Sequence, residues 1–277
     1  MFRILNILLI FSFLLLNSCK SSTKEVSNIK EKSQELEIVN SYNEAYEYLN
    51  GNDVYLASKK FLETELLFPQ SKWAPKSALM ASYSFYLQNY YSEAISNLER
   101  YLQTYPSHND KVYAHYLIAI CYFEMIEDEK RDYEPIINSK NKFNYIIENY
   151  PETDFAVDAR FKINLIQDVL ASKEMYLGRH YQKKQKWIPA INRFKTVVNN
   201  YDETIFIEEA LHRLVEIYYK IGLVDESMKY AQLLGYNYLS SEWYKKTYKV
   251  FNQDYQLLEI DKNKSKESVL KRFKKIF

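Results

Sequence analysis

The side chains of this sequence that could do chemistry are few and scattered. Four histidines could act as metal ligands or as general acids and bases, and they are His108, His115, His180 and His212. No two of them have the three- or four-residue spacing that places metal ligands on one turn of a helix. The chain also lacks a glycine-rich phosphate loop, a Gly-x-Ser-x-Gly elbow and a Cys-x-x-Cys pair. We therefore expect no enzymatic activity, no metal and no cofactor.

One cysteine follows a segment that is typical of export. Residues 4–16 are an apolar run interrupted only by Asn6 and Ser12, and thirteen residues are too few for a permanent membrane anchor. The following Leu16-Asn17-Ser18-Cys19 resembles the lipobox of bacterial lipoproteins, which implies a lipidated Cys19 after cleavage. An ordinary secretory signal is the alternative. Lys20 stands where aspartate would indicate inner-membrane retention, so we expect attachment to the outer membrane.

Two other reactive groups have structural explanations. Cys121 lies beside Ala119 and Tyr122 on a predicted helix, and we expect a buried, inert thiol there. Glu208 and Glu209 are predicted to occupy a first helical turn, where the helix dipole favours negative charge.

The helices are delimited by a recurring pair, an aromatic residue followed by proline or its substitute. The pairs are Phe68-Pro69, Tyr105-Pro106, Tyr150-Pro151, Tyr201-Asp202 and Tyr238-Leu239. The first two and the last two are 37 residues apart, and the middle spacings are 45 and 51. Proline cannot continue a helix, and after Pro151 we expect Thr153 to cap the next one. Such a period indicates a solenoid of helix pairs.

Residue types inside the repeats refine this prediction. A small residue and a tyrosine on the first helix, then alanine and an aromatic on the second, resemble the tetratricopeptide repeat. In the fourth repeat, for example, these are Gly178, Tyr181, Ala190 and Phe194. With four glycines, six prolines and no sustained apolar–polar alternation, the chain does not favour sheet. We predict an all-α, tetratricopeptide-repeat-like α-solenoid of about five helix pairs.

These observations divide the chain into four parts. We predict a signal peptide over 1–18, a lipidated cysteine with a flexible tether over 19–40, five repeats over 41–245 and a basic tail over 246–277. The third repeat is interrupted by the charged run Glu127–Glu134, which is either a solvated insertion or a projection toward a partner.

The end of the tail is strongly basic. Residues 261–277 contain seven basic and two acidic side chains, and Val269, Leu270, Phe273 and Phe277 would share one helical face. Both an amphipathic helix and a disordered segment fit this pattern.

The overall charge gives no indication of a nucleic-acid partner. The formal net charge is +1. The 27 tyrosines and 15 phenylalanines mostly follow helical core spacing and lack interleaved basic residues, so we interpret them as packing residues.

Several stretches together resemble the BamD family, the tetratricopeptide-repeat lipoproteins of the bacterial β-barrel assembly machinery. They are the lipobox, the five repeats, Arg131-Asp132, the stretch from Tyr150 to Thr153, and Trp187-Ile188-Pro189-Ala190-Ile191-Asn192-Arg193-Phe194. The last stretch is the most specific, because a generic tetratricopeptide repeat does not require its Asn-Arg pair. The resemblance extends from Cys19 to about Tyr244.

The resemblance implies a scaffold that is lipid-anchored on the periplasmic face of the outer membrane. Its implied partners are a BamA-like barrel-forming subunit at the C-terminal repeats, other lipoproteins of the machinery, and unfolded outer-membrane proteins at the N-terminal repeats. By the same resemblance, Trp187, Asn192 and Arg193 contact the barrel-forming subunit, while Phe68 and Pro69 contact substrate. The family commonly has tyrosine at position 68. The alternative hypothesis is a periplasmic lipoprotein scaffold for cell-wall enzymes, which would not need the Asn-Arg pair.

Overall fold

A computed structural model describes residues 27–127, 132–239 and 241–251, with side chains from residue 34 onward. Within these ranges the chain forms eleven α-helices and no strand. The helices are α1 (Ser27–Asn50), α2 (Val54–Leu67), α3 (Ala74–Leu87), α4 (Tyr91–Thr104), α5 (Lys111–Glu124), α6 (Glu134–Asn149), α7 (Asp154–Lys183), α8 (Trp187–Asn200), α9 (Ile207–Lys220), α10 (Val224–Asn237) and α11 (Glu242–Val250).

The helices form the predicted solenoid. Each packs mainly against its neighbours in sequence, which gives the pairs α1/α2, α3/α4, α5/α6, α7/α8 and α9/α10, followed by α11 packed on α9. Since each pair is apolar on two sides, the next pair must cover it. The predicted all-α fold of five repeats is confirmed.

The turns inside four of these pairs share one backbone feature. A residue with positive φ stands two positions before the second helix in each, namely Asn52 (64°), Asn89 (61°), Gln185 (57°) and Gly222 (82°). Asparagine and glycine tolerate this left-handed conformation best. The common turn shows that the four pairs are copies of one structural unit.

The recurring aromatic residues all end a helix. Phe68, Tyr105, Tyr150, Tyr201 and Tyr238 are the C-caps of the second helices of the five pairs. The backbone N–H of each donates to the carbonyl four residues earlier, for example Tyr150 N–H to Ile146 O at 2.9 Å. The next residue is then free to leave the helix, whether or not it is proline. This explains why the helix also ends where Asp202 or Leu239 stands in the position that proline occupies in the other repeats.

The longest of the described helices is α7, whose 30 residues join the third repeat to the fourth. It begins as predicted, because the Thr153 side chain accepts a hydrogen bond from the Ala156 N–H at 3.3 Å. Its first half packs on α5 and α6 through small residues, including Ala156 and Ala159, which are fully buried. Its second half packs on α8 and α9, beginning with Ala171. One helix therefore belongs to two hydrophobic clusters.

The boundaries differ from the predicted ones at both ends. Helix α1 begins at Ser27, inside the predicted tether, and Ile38 is buried. Helix α11 runs from Glu242 to Val250 and so crosses the boundary predicted at residue 245. Ile38 in the first of these helices and Thr247 and Val250 in the last are buried, so both helices pack on the repeats beside them. Residues 1–18, Cys19, Arg131 and the tail beyond residue 251 lie outside the described residues.

Two further findings concern single features. Cys121 is fully buried, and burial raises the pKa of its thiol to about 12, which agrees with an inert structural role. In the described ranges, none of the helices combines the length and apolar character needed to cross a bilayer.

Candidate partner and substrate surfaces

The first candidate surface is the outer face of α8. Ile191, Phe194 and Val197 point inward and are buried. Helical geometry therefore places Asn192 and Arg193 toward solvent, and Asn192 is exposed while the Arg193 side chain keeps 41% of its accessible surface. We call Trp187, Ile188, Asn192 and Arg193 the α8 face.

Arg193 already has one partner inside the solenoid. Its Nη1 donates to both carboxylate oxygens of Glu174 on α7, at 3.2 Å to Oε1 and 3.1 Å to Oε2. Among the described residues, no hydrogen bond is made by its Nη2 or Nε. Because the guanidinium is a planar fork with five donors, one edge remains available to a second carboxylate. Glu174 therefore fixes the position of the Arg193 guanidinium, while Nη2 and Nε keep their capacity to donate hydrogen bonds to a partner.

Trp187 occupies the start of α8. Its ring is half-buried against the cluster shared by α8 and α9, and the Lys220 ammonium lies 5.1 Å from the ring centroid. Beside it, Ile188 is 73% exposed. Also exposed are Leu223, in the turn that follows Lys220, and Val224, the first residue of α10. This end of the solenoid thus combines apolar surface with the cationic edge of Arg193.

The second candidate surface is a groove in the first repeat. It has a volume of about 340 Å³ and is lined by Gln34 and Ile38 of α1 and by the consecutive residues Leu67, Phe68, Pro69, Gln70 and Ser71. Phe68 is half-buried, Pro69 is exposed, and Leu67 keeps 58% of its surface accessible. We call this the first-repeat groove. Its mixture of apolar and amide side chains suits an extended, apolar peptide.

Comparison with known proteins assigns the chain to a family. The family model YfiO, described as outer membrane lipoprotein, matches residues 34–233. The assembly factor BamD of Rickettsia prowazekii is 38% identical over 248 residues, which cover 90% of this chain and 96% of that protein. BamD of Caulobacter vibrioides is 41% identical over 194 residues, or 70% of this chain and 64% of that protein. This chain belongs to the BamD family.

The match covers both candidate surfaces. The α8 face and the first-repeat groove lie within residues 34–233, whereas Cys19 and α11 lie outside. Among solved structures, a tetratricopeptide repeat protein from Parabacteroides merdae ATCC 43184 aligns with a TM-score of 0.33 and 15% identity, covering 76% of this chain and 73% of that one. The assignment to the BamD family rests on the sequence relatives.

Sequence reasoning missed a buried charged network in this BamD-family chain. Glu209 was predicted to serve only the dipole of α9, yet it is 9% exposed and accepts a 2.8 Å hydrogen bond from Arg179 Nε on α7. Arg213, one turn later, contacts both Glu209 (3.3 Å) and Glu216 (2.8 Å). Burial raises the pKa of Glu209, but the two arginines more than offset this and leave it below its ordinary value.

The network continues through His212, whose Nε2 lies 3.4 Å from Glu216 Oε1, to the last described helix. His212 is fully buried, and its Nδ1 lies 2.8 Å from the Thr247 hydroxyl of α11. The Trp243 ring lies 5.2 Å from the imidazole, between centroids. The Glu209–Arg213 spacing was visible in the sequence, but burial of both residues was not. The network joins α7, α9 and α11 and has a structural role.

Over residues 27–127, 132–239 and 241–251, no group of three or more histidine, cysteine or acidic residues is placed to hold a metal ion.

Proposed function

We propose that this chain is a lipid-anchored, non-catalytic assembly factor on the periplasmic face of the outer membrane. It binds the barrel-forming subunit of the assembly machinery through the α8 face. It receives unfolded outer-membrane proteins at the first-repeat groove. The two tasks fall on different repeats, so one molecule can hold partner and substrate together.

The observation that carries the partner assignment is the geometry of Arg193. Glu174 orients its guanidinium through one nitrogen, and the opposite edge remains available to an acidic group. Exposed Ile188 supplies apolar area nearby. Protein interfaces commonly combine arginine and aromatic residues with apolar surface, and Trp187 completes that combination. The names of the relatives, outer membrane protein assembly factors, support a partner from the same machinery.

The substrate assignment rests on the first-repeat groove. An unfolded outer-membrane protein is an extended chain with apolar side chains on alternate residues, because its strands face lipid on one side. Such a chain can place one apolar side chain against Phe68 and Leu67 while Gln34 and Gln70 offer amide groups to its backbone. Phe68 also caps α2, so its contribution to substrate binding adds to a structural role.

A pull-down from detergent-solubilised envelopes tests the proposal. The bait is the wild-type chain, and Arg193→Glu is the matched variant. We expect the wild type to recover a large β-barrel protein and the variant to recover much less. Recovery of peptidoglycan hydrolases or synthases instead would favour the cell-wall scaffold and contradict the proposal.

A further inference from the structure

Three lysines lie in the turn that joins α7 to α8. Lys183 ends α7, Lys184 caps it, and Lys186 precedes Trp187, the first residue of α8. Lys220, at the end of α9, lies beside them, because its ammonium is 5.1 Å from the centroid of the Trp187 ring. All four lysines are exposed, and within the described part of the chain none of them forms an ion pair. We call these four lysines the lysine cluster.

The conformation of the turn does not require this charge. Residues 182–188 surround a residue with positive φ, as residues 49–55 and 86–92 do in the first two repeats. Residues 182–188 contain three basic side chains and no acidic one. The two equivalent segments contain no basic side chain. The lysines of the fourth repeat therefore need an explanation other than the fold of the turn.

The neighbouring acidic side chains do not neutralise the lysine cluster. Asp225, in the first turn of α10, is exposed. Glu226 is already paired with Lys229 at 2.5 Å, and Glu174 is paired with Arg193 at 3.1 Å. Four cations thus stand against one carboxylate, a local charge of 4 − 1 = +3. A positive field of this kind attracts an anionic surface.

The lysine cluster borders the α8 face. Lys186 and Arg193 are seven residues apart, so helical geometry places them on one side of α8, about 10 Å from each other. The available edge of the Arg193 guanidinium suits a planar acidic group in a fixed position. A folded protein offers such a group, whereas a fluid lipid surface does not hold one in place. The observations therefore favour an acidic protein surface as the ligand.

Lysines at this position act differently from Arg193. A flexible, exposed ammonium contributes little to a bound complex, but its field acts on a charged partner before contact. Charges at the rim of an interface chiefly change the association rate and its salt dependence. A hydrogen-bonded charge at the contact itself chiefly changes the dissociation rate.

We propose that the lysine cluster steers an acidic surface of the barrel-forming subunit onto the α8 face and so speeds its association. This inference rests on the proposed function, because it takes the α8 face as the binding site of that subunit. It adds the chemical class of the partner surface. It also assigns separate tasks, since the lysine cluster sets the association rate and Arg193 sets the dissociation rate.

Biolayer interferometry tests the proposal with the full chain immobilised in non-ionic detergent and the barrel-forming subunit in solution. The variant is Lys183→Gln/Lys184→Gln/Lys186→Gln. At about 0.01 M salt, where the Debye length is about 30 Å, we expect roughly tenfold slower association and a dissociation rate within about twofold of the wild type. At about 1 M salt, where the Debye length is about 3 Å, the variant and the wild type should associate equally fast.

The matched control is Lys59→Gln/Lys72→Gln/Lys76→Gln, which removes the same charge from exposed lysines of the first two repeats. It should associate like the wild type, while Arg193→Glu should mainly speed dissociation. Circular dichroism confirms that each variant keeps its helix content. Association that does not depend on salt, or equal slowing in the control, would overturn this inference and leave the proposed function standing. Absence of binding by the wild type would overturn both.

Vesicles of phosphatidylcholine mixed with phosphatidylglycerol test the other source of negative charge. We expect the lysine variant and the control variant to co-sediment with these vesicles to the same extent. Weaker co-sedimentation of the lysine variant, together with an unchanged association rate for the barrel-forming subunit, would assign the lysine cluster to a bilayer and overturn the proposal.

Discussion

The ring of Phe194 occupies the space that a side chain at Gly178 would need. A Cβ at position 178 would lie 2.6 Å from Phe194 Cε1, 2.8 Å from Cζ and 2.9 Å from Cδ1. Phe194 is fully buried, so its ring has no free space into which it could turn. The absence of a side chain at one residue of α7 therefore sets the distance at which α8 crosses it.

Gly178→Ala is expected to lower the free energy of unfolding by about 1–3 kcal/mol, because overpacking outweighs the gain in helix propensity. Denaturant unfolding followed by circular dichroism measures the change. Phe194→Leu in the same chain should recover part of the loss by making room. Gly235→Ala is the control, because it meets the half-buried Tyr244 ring at 3.0 Å, where that ring can shift. Similar losses for both glycines would argue against the crossing as the cause.

The ion pair between buried Glu209 and partly exposed Arg179 predicts acid sensitivity. The pKa of Glu209 is lower in the folded chain than its ordinary value of 4.5, so its contribution to stability is fully present above pH 4.5. That contribution is lost as the pH falls through the lowered pKa. Glu209→Gln is expected to cost about 3 kcal/mol at neutral pH, because Arg179 and Arg213 lose a buried partner. Denaturant unfolding at several pH values measures both effects.

Glu208→Gln is the matched control for Glu209. Glu208 lies in the same first turn of α9 but is only half-buried. It should change stability by well under about 1 kcal/mol. If Glu209→Gln lost as much stability on acidification as the wild type, Glu209 would not be the responsible group.

Substitutions at Arg193 separate partner binding from folding. Arg193→Glu is expected to weaken binding of the barrel-forming subunit by about 2–5 kcal/mol. Arg193→Lys should recover only part of this, because an ammonium cannot form a bidentate fork. Stability should change by about 0–1 kcal/mol, since the pair with Glu174 is partly exposed. Titration calorimetry and thermal unfolding measure the two quantities separately.

Glu174→Gln provides the complementary variant. It replaces the carboxylate by an amide whose oxygen can still accept a hydrogen bond from Arg193, so the guanidinium keeps its orientation and binding of the barrel-forming subunit should be kept. Unchanged affinity in Arg193→Glu would contradict the interface assignment. Loss of helicity together with affinity would mean that Arg193 serves the solenoid.

The first-repeat groove predicts a specific loss of substrate binding. Phe68→Ala should weaken binding of an unfolded outer-membrane protein segment by about tenfold, which corresponds to roughly 1.4 kcal/mol of lost apolar contact. Phe68→Tyr should bind nearly as well as the wild type. Tyr236→Ala, at a residue that is 88% exposed in α10, is the control. Fluorescence anisotropy of a labelled peptide measures binding, and an equal loss at both sites would exclude the groove.

Cys19→Ala is expected to release the chain from membranes after a high-salt wash. The apolar run before it is too short to serve as an anchor, so attachment that survives salt must come from acyl chains. Fractionation of cell envelopes followed by immunoblotting provides the measurement. A variant that remained with the membrane in high salt would show a different anchor.

The aromatic residue at the end of each repeat made the fold predictable, because its spacing was visible without knowledge of contacts. The left-handed backbone conformation in the turns could not be predicted from the sequence. The four residues that adopt it share no residue type; they are Asn52, Asn89, Gln185 and Gly222. The continuity of α7 was also missed, although no proline interrupts residues 154–183. Periodicity locates repeats but does not say whether two helical stretches are joined.

The candidate surfaces were predictable to different degrees. The partial exposure of Arg193 follows from the helical spacing of buried Ile191, Phe194 and Val197, but its pair with Glu174, 19 residues earlier, depends on how α7 and α8 cross. Phe68 was located by its pair with Pro69, whereas the groove also needs Gln34 and Ile38 from the preceding helix. Burial of Glu209 likewise depends on packing between helices that are distant in sequence.

The unbroken length of α7 has a mechanical consequence. Thirty residues of α-helix span about 45 Å, and here they pass from the cluster that ends with Leu170 to the one that begins with Ala171. A hinge between these clusters would require breaking backbone hydrogen bonds in the middle of this helix. The third and fourth repeats, which share α7, therefore move together as one rigid unit.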